Sequence, residues 1–445
     1  MPGCGQSFAR AQAFEKKRGR LTIAAPTSSG PADPIVEFST LVDLLRWRAL
    51  RHPEQQIFNY LLYGETAGAH LTFAALDRQA RAIAALLQSI GASGERALLL
   101  YPTGLEFIAA FFGCLYAGVI AVPVPPPNPA QPQCALPRLR VIIDNAQPTV
   151  ALTTSLIRTK LEGLLAGPPQ TPALRWLATD DLATGAELEW QPPEVTPDTL
   201  ALLQYTSGST SIPRGVMVSH ANLIHNSAHI THAFALTMES VSVMWLPLFH
   251  DMGLTNGVIQ PLLMGRECFL MAPQAFLQRP LRWLQAISRY RATISGGPNF
   301  ANDLCTRRIT PEQRENLDLS GWHAAYNGAE PVRADTMKRF AAAFAGCGFQ
   351  PRFFYPCYGL AEATLLVAGG RPQDDPVLCT AEVSALERNR VIEPRVAESY
   401  DPRCKMRTLV GSGRAIPGTR IVIVDPQSFT PCAPDAVGEI WVSSP

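Results

Sequence analysis

Residues 205–219 read YTSGSTSIPRGVMVS, a segment built to meet an anion. Thr206, Ser207, Gly208, Ser209 and Thr210 follow the strand-like Leu202, Leu203 and Gln204. Glycine lets a backbone approach an anion closely, and hydroxyls and free N–H groups donate to phosphate oxygens. Arg214 adds a fixed positive charge, and Gly215 is read as opening the turn into the strand of Val216, Met217 and Val218. The spacing is not that of a Walker loop, which needs GxxxxGK followed by Ser or Thr. By composition alone, a surface linker rich in Ser, Thr and Gly fits equally well. The rest of the chain decides between the two.

Three further stretches supply chemistry. WLPLFHDMGL at 245–254 pairs His250 with Asp251 between apolar runs. A neutral imidazole donates to a carboxylate or gates a pocket, whereas an isolated one is more often a hydrogen-bonded core residue. YNGAEP at 326–331 supplies Gly328 and Ala329, small enough for a flat base to lie against the backbone, with Glu330 next. FYPCYGLAEAT at 354–364 supplies Tyr358, a ring for stacking, then Gly359. It also supplies Glu362, a hard oxygen ligand suited to a divalent cation such as Mg²⁺. His225, His229 and His232 recur at i, i+4 and i+7 on a predicted helix, but no carboxylate or Cys motif completes a zinc set.

Such groups need a frame, and the first third of the chain has the rhythm of one. After Thr72, an N-cap candidate, Leu76, Ala80, Ile83, Leu87 and Ile90 trace one face of an amphipathic helix. RALLLY at 96–101 reads as a buried strand. FIAAFFGCLYAGVIAVPV at 107–124 is long enough to suggest a membrane span, yet Gly118 divides it into a buried helix and a buried strand. PVPPPNPAQPQ at 123–133 is read as an extended loop, and TVALTT at 149–154 as the next strand. Strand and helix alternating in this way give an α/β fold with a mostly parallel sheet. TRIVIVD at 419–425 and VGEIWVS at 437–443 read as strands with no helix between. The expected organisation is a mobile tail over 1–34, an α/β core over 35–410 and a β-rich subdomain over 411–445.

Composition narrows the function. Of 445 residues 47% are apolar and 17% charged, ordinary for a globular enzyme with a large core. A net charge of +1 gives no global field for nucleic acid or an anionic membrane. Ten cysteines at wide, irregular spacings, with no CxxC pair, read as free thiols in a reducing cytoplasm.

The order and spacing of these motifs resemble the adenylate-forming superfamily, which contains acyl-CoA synthetases, peptide-synthetase adenylation domains and fatty acyl-AMP ligases. LVDLLRWRALRHPE at 41–54, YPTGLEFIAAFFGCLYAG at 101–118 and GPNFAND at 297–303 resemble the fatty acyl-AMP ligases in particular. The resemblance covers about residues 36–445. It implies an adenylating enzyme that uses ATP and Mg²⁺ to join a fatty acid to AMP, then passes the acyl group to an acyl carrier protein. It implies that 205–215 holds phosphates, that His250 lies near the substrate carboxylate, and that Gly328, Ala329, Glu330, Tyr358 and Gly359 border the nucleotide. Glu362 would ligate the metal. Two positions depart from the pattern: Arg214 stands where many members have lysine, and Ala361 where threonine is frequent. The stretch between Gly370 and Val410 is either an ordinary variable loop or an insertion of the kind that hinders admission of coenzyme A. The family's ribose-binding Asp, hinge and C-terminal lysine lie beyond Pro445, so a C-terminal domain is not part of this sequence. An acyl-CoA synthetase and a non-catalytic acyl-adenylate-binding module are the alternative readings.

Overall fold

The computed structural model describes residues 38–127, 132–161, 174–206, 213–393 and 405–445. Two parallel-dominated sheets organise these residues, all within one compact unit, Phe38–Pro445. The tail expected over 1–34 lies outside them.

The smaller sheet runs Arg175–Ala178, Val150–Thr153, Arg96–Leu99, Ile120–Pro123, Leu200–Thr206 and Arg214–Ser219 in spatial order. All its pairings are parallel except the last, where Leu200–Thr206 and Arg214–Ser219 form an antiparallel pair. The larger sheet has nine strands among the described residues. Its centre is parallel: Phe354–Gly359, Ala324–Asn327, Ile294–Gly297, Ser242–Met244, Cys268–Leu270 and Gln56–Leu62. Antiparallel strands close both edges: Thr66–Thr72 on one side, Leu366–Gly369 and Arg414–Ala415 on the other.

Local chemistry fixes the helices. Thr72 caps Phe73–Ser89, its hydroxyl accepting the N–H of Ala75 at 3.1 Å. The helix Leu105–Ala117 is buried along nearly its whole length and stops at Gly118, whose φ of 67° is left-handed. Gly118 then leads into Ile120–Pro123, so the apolar run is a helix and a strand. Among the described residues no helix is long and apolar enough to cross a membrane. The loop expected over 123–133 ends sooner than the sequence suggests. Helix Pro132–Ala146 begins with a proline, whose missing N–H would be unpaired in a first turn anyway. A core of apolar side chains lies around the larger sheet and the helices Leu41–Arg51, Phe73–Ser89 and Leu105–Ala117. A second, smaller cluster joins Leu98, Val122 and Ala151 of the smaller sheet to Leu139 and Ile142 of the helix Pro132–Ala146.

Arg420–Val424 and Glu439–Ser443 form an antiparallel pair, with Ile440 and Trp441 exposed. The stretch after Gly370 makes a hairpin of Leu378–Glu382 and Met406–Val410. Residues 394–404 lie outside the described residues. The hairpin is fastened at both ends: Leu409 bridges to Arg333, and the Val437 N–H donates to the Asn389 carbonyl at 2.9 Å. Arg390 and Asp435 add an ion pair.

One fastening is pH-dependent. His220, 1% exposed, begins the helix His220–Ala233, and its Nδ1 accepts the N–H of Leu41 at 3.2 Å, serving the start of the helix Leu41–Arg51. Burial pushes its pKa down from 6.5 to about 4, with a smaller opposing pull from Asp43. The folded protein therefore keeps this imidazole neutral while the unfolded chain protonates it. Its stabilisation is full above about pH 6.5 and is lost as pH falls toward about 4. Between pH 7.5 and 5, wild type should lose about 2 kcal/mol more stability than His220→Asn, which keeps an acceptor but does not titrate. Urea denaturation at the two pH values measures this, and equal losses would mean that His220 takes up its proton as readily in the fold as in the unfolded chain.

Candidate functional site

Parallel strands deliver their C-terminal ends to one rim, where ligands of α/β sheets bind. Here the motifs leave those ends: 245–250 follows Ser242–Met244, Gly328 and Ala329 follow Ala324–Asn327, and Tyr358 and Gly359 end Phe354–Gly359. A cavity of about 170 Å³ brings together His250, Gly328, Ala329, Tyr358 and Gly359. Its lining also includes the apolar Ile230, Phe234, Met252 and Leu366. Phe234 and Tyr326 stack with centroids 5.6 Å apart. A Cβ at Gly328 would lie 2.9 Å from the Cys357 carbonyl oxygen, so the backbones there come together only because glycine has none. Ala329 follows with a φ of 66°, turning the chain along the cavity. Glu330 is not part of that lining; its Oε1 accepts the N–H of Phe300 at 2.5 Å, within the 297–303 stretch.

His250 sits at the N-cap position of the short helix Asp251–Leu254, where Asp251 Oδ1 accepts the Met252 N–H at 2.6 Å, and is exposed to the cavity. Its Nδ1 lies 2.6 Å from Asp251 Oδ1. This hydrogen bond raises the imidazole pKa above its ordinary value, with partial burial opposing. With Nδ1 turned to Asp251, Nε2 is the ring nitrogen left for a ligand, having no partner among the described residues.

Glu362 is held differently. The chain leaves Gly359, makes a 3₁₀ turn at Ala361–Ala363 and returns as Leu366–Gly369. Thr364 has φ 69° and ψ −60°, and the Leu365 N–H donates to the Ala363 carbonyl at 2.9 Å. That is a positive-φ γ-turn, a strained conformation for a β-branched residue. One buried side chain secures it. Asn226 donates to the carbonyls of Ala363 at 3.4 Å and Leu366 at 3.0 Å, and accepts the Leu366 N–H at 3.0 Å. Glu362 is left exposed, with no hydrogen bond or ion pair among the described residues. It borders a second cavity of about 340 Å³, which it shares with Val216 and Met217. The turn at 360–364 therefore separates two cavities.

Thr206 ends its strand opposite Arg214, which begins the next. Ser207, Gly208, Ser209 and Thr210 lie outside the described residues. Gly215 does not open a turn: it sits inside the strand Arg214–Ser219, opposite Tyr205. A Cβ there would come within 2.9 Å of the Tyr205 ring, whose hydroxyl reaches Asn145 at 2.5 Å. Gln204 ties this strand to the His250 segment, donating to the Phe249 carbonyl at 3.0 Å. The histidines His225 and His229 share a hydrogen bond between their Nε2 atoms at 3.2 Å. Sequence reasoning missed Asn226, Gln204 and Asn256, which also lines the first cavity. No motif marks these amides; only buried positions in otherwise apolar faces would have signalled them.

The AMP-binding enzyme family matches residues 45–445. The medium-chain-fatty-acid–[acyl-carrier-protein] ligase JamA of Moorena producens is 48% identical over 410 residues, covering 92% of this chain and 69% of JamA. The corresponding ligase TtuA of Teredinibacter turnerae is 35% identical, with 91% and 67% covered. A fatty acyl-adenylate ligase from Legionella pneumophila, solved with acyl adenylate and pyrophosphate, superposes with a TM-score of 0.84 at 42% identity, over 92% of this chain and 69% of that one. On the family match and on JamA's identity and coverage, the chain belongs to the AMP-binding enzymes of the adenylate-forming superfamily.

Proposed function

We propose that this protein activates a fatty acid with ATP, forming an acyl-adenylate and pyrophosphate, for transfer to an acyl carrier protein. The observation that carries the reading is the first cavity, whose lining joins Gly328, Ala329 and Tyr358 to the apolar Ile230, Phe234 and Met252, with His250 beside them. An adenylate with an acyl tail needs those two surfaces joined. The names of JamA and TtuA favour a medium-length acid and a carrier protein as acceptor. The free cysteines among the described residues suit a cytoplasmic setting.

In the reaction, a carboxylate oxygen attacks the α-phosphorus of ATP in line with the bond to the bridging oxygen. The new P–O bond forms as the α–β bridge breaks and pyrophosphate leaves. Two anions must meet, so the protein contributes chiefly positioning and charge neutralisation. Tyr358 stacks on the base, which lies along Gly328 and Ala329. The Nε2 of His250 faces the carboxylate end of the acid. Arg214 and the loop of Thr206, Ser207, Gly208, Ser209 and Thr210 hold the phosphates. An exposed carboxylate without internal partners fits Mg²⁺, which is commonly held by one or two carboxylates together with substrate phosphates. Glu362 would hold it, and the ion supplies charge neutralisation on the phosphates. Asn226 keeps Glu362 at its post.

Calorimetric titration with a non-hydrolysable decanoyl-adenylate analogue tests the reading. Wild type should bind saturably, and Ala329→Trp, which fills the nucleotide wall from an exposed position, should weaken binding at least about a hundredfold without lowering the melting temperature. A well-folded wild type that does not bind would refute the assignment. ATP affinity should be higher with Mg²⁺ than with EDTA, and Glu362→Ala should erase that difference. Asn226→Ala should reduce the same difference severalfold and cost about 2 kcal/mol of stability, because three backbone groups lose their partner. A variant that loses the stability but keeps the full Mg²⁺ effect would restrict Asn226 to a structural part.

A further inference from the structure

The wall of the first cavity contains one side-chain amide. Asn256 is the second residue of the π-helical turn Thr255–Ile259. It lies four positions beyond Met252, on the same helix side, and both residues line the cavity. It is 5% exposed. Its side chain makes no hydrogen bond among the described residues, and its amide oxygen is wholly buried. No neighbouring polar group pairs with it among the described residues, although the Gln260 amide oxygen is likewise buried without a partner. Gln260, a turn later, gives its amide N–H to Thr231 at 2.8 Å, and the Tyr326 hydroxyl points to the Met244 sulfur at 3.9 Å.

A plain hydrocarbon chain passing this wall would keep the amide from any partner. A buried polar group without a partner is costly, and a chain carrying a matching group removes that cost. We propose that Asn256 reads a polar substituent: the site takes a carboxylic acid whose chain bears a hydrogen-bonding group, a hydroxyl being the simplest, at a carbon removed from the carboxylate. The amide nitrogen, unlike the wholly buried oxygen, is the end that a chain in the cavity can meet, and it donates to a hydroxyl oxygen. Asn256 then sets which acids are chosen, because a site built to pair a hydroxyl discriminates against the analogue lacking it far more strongly than an apolar pocket can reject an added one. This inference rests on the cavity being the acyl-adenylate site.

The test uses acyl-sulfamoyl adenosines carrying either decanoyl or one of a series of hydroxydecanoyl isomers, titrated into wild type, Asn256→Leu and Asn256→Ser. At least one hydroxylated isomer should bind wild type about tenfold or more tighter than decanoyl. Asn256→Leu should reverse that order by tightening decanoyl, and Asn256→Ser should retain part of the preference, which keeps the comparison readable if the leucine variant does not fold. A wild type that prefers decanoyl to every isomer overturns the proposal, as does a preference that neither substitution alters. Failure of every analogue to bind wild type is a separate result: it removes the acyl-adenylate reading itself, and the proposal with it.

Discussion

A parallel strand can be followed by another parallel strand only through a crossover, so every such strand releases the chain on the same side of its sheet. That constraint governs this molecule. His250, Gly328 and Tyr358 are far apart in sequence, yet each follows or ends a parallel strand of the larger sheet and so reaches one rim. In the smaller sheet Thr206 ends a parallel strand in the same way, and the antiparallel strand that returns beside it begins opposite, at Arg214. Buried amides then fix the loops that the rim leaves loose. Gln204 holds the carbonyl before His250, and Asn226 holds the turn beyond Glu362.

These amides explain how an exposed acid can be well placed. A surface carboxylate usually gains its position from a partner, but a partner would occupy the oxygens a ligand needs. Glu362 gains position from its backbone instead. The strained Thr364 turn costs free energy that the three hydrogen bonds of Asn226 offset, leaving the carboxylate unengaged. His250 follows a different rule, because its neighbour Asp251 orients the ring through one nitrogen and frees the other.

The alternation of strands and helices was legible from periodicity and punctuation. Thr72 and Gly118 mark helix ends in the sequence as they do in the fold, because capping depends on one residue and its nearest neighbours. What was not legible depended on contacts distant in sequence. Gly215 reads as a turn former until the Tyr205 ring is seen against it, and the turn at 360–364 depends on a side chain about 140 positions earlier. Pro132 was misread because proline marks loops and helix starts alike. The motifs named groups that meet at the rim; the polar residues that hold their loops carry no motif.

The π-helical segment Thr255–Ile259 has a consequence for how this pocket can change over evolutionary time. A π turn accommodates one residue more than an α turn, usually as the trace of an insertion. Loss of one residue there would restore the α-helical ladder and leave the residues on either side on the faces they already occupy, because the turn absorbs the extra residue. The helix would survive and the strands on either side would keep their register, but within the turn itself a different side chain would face the cavity. Lineages descending from this protein thus have a route to new chemical tastes through chain length, open even where every substitution at the wall is disfavoured.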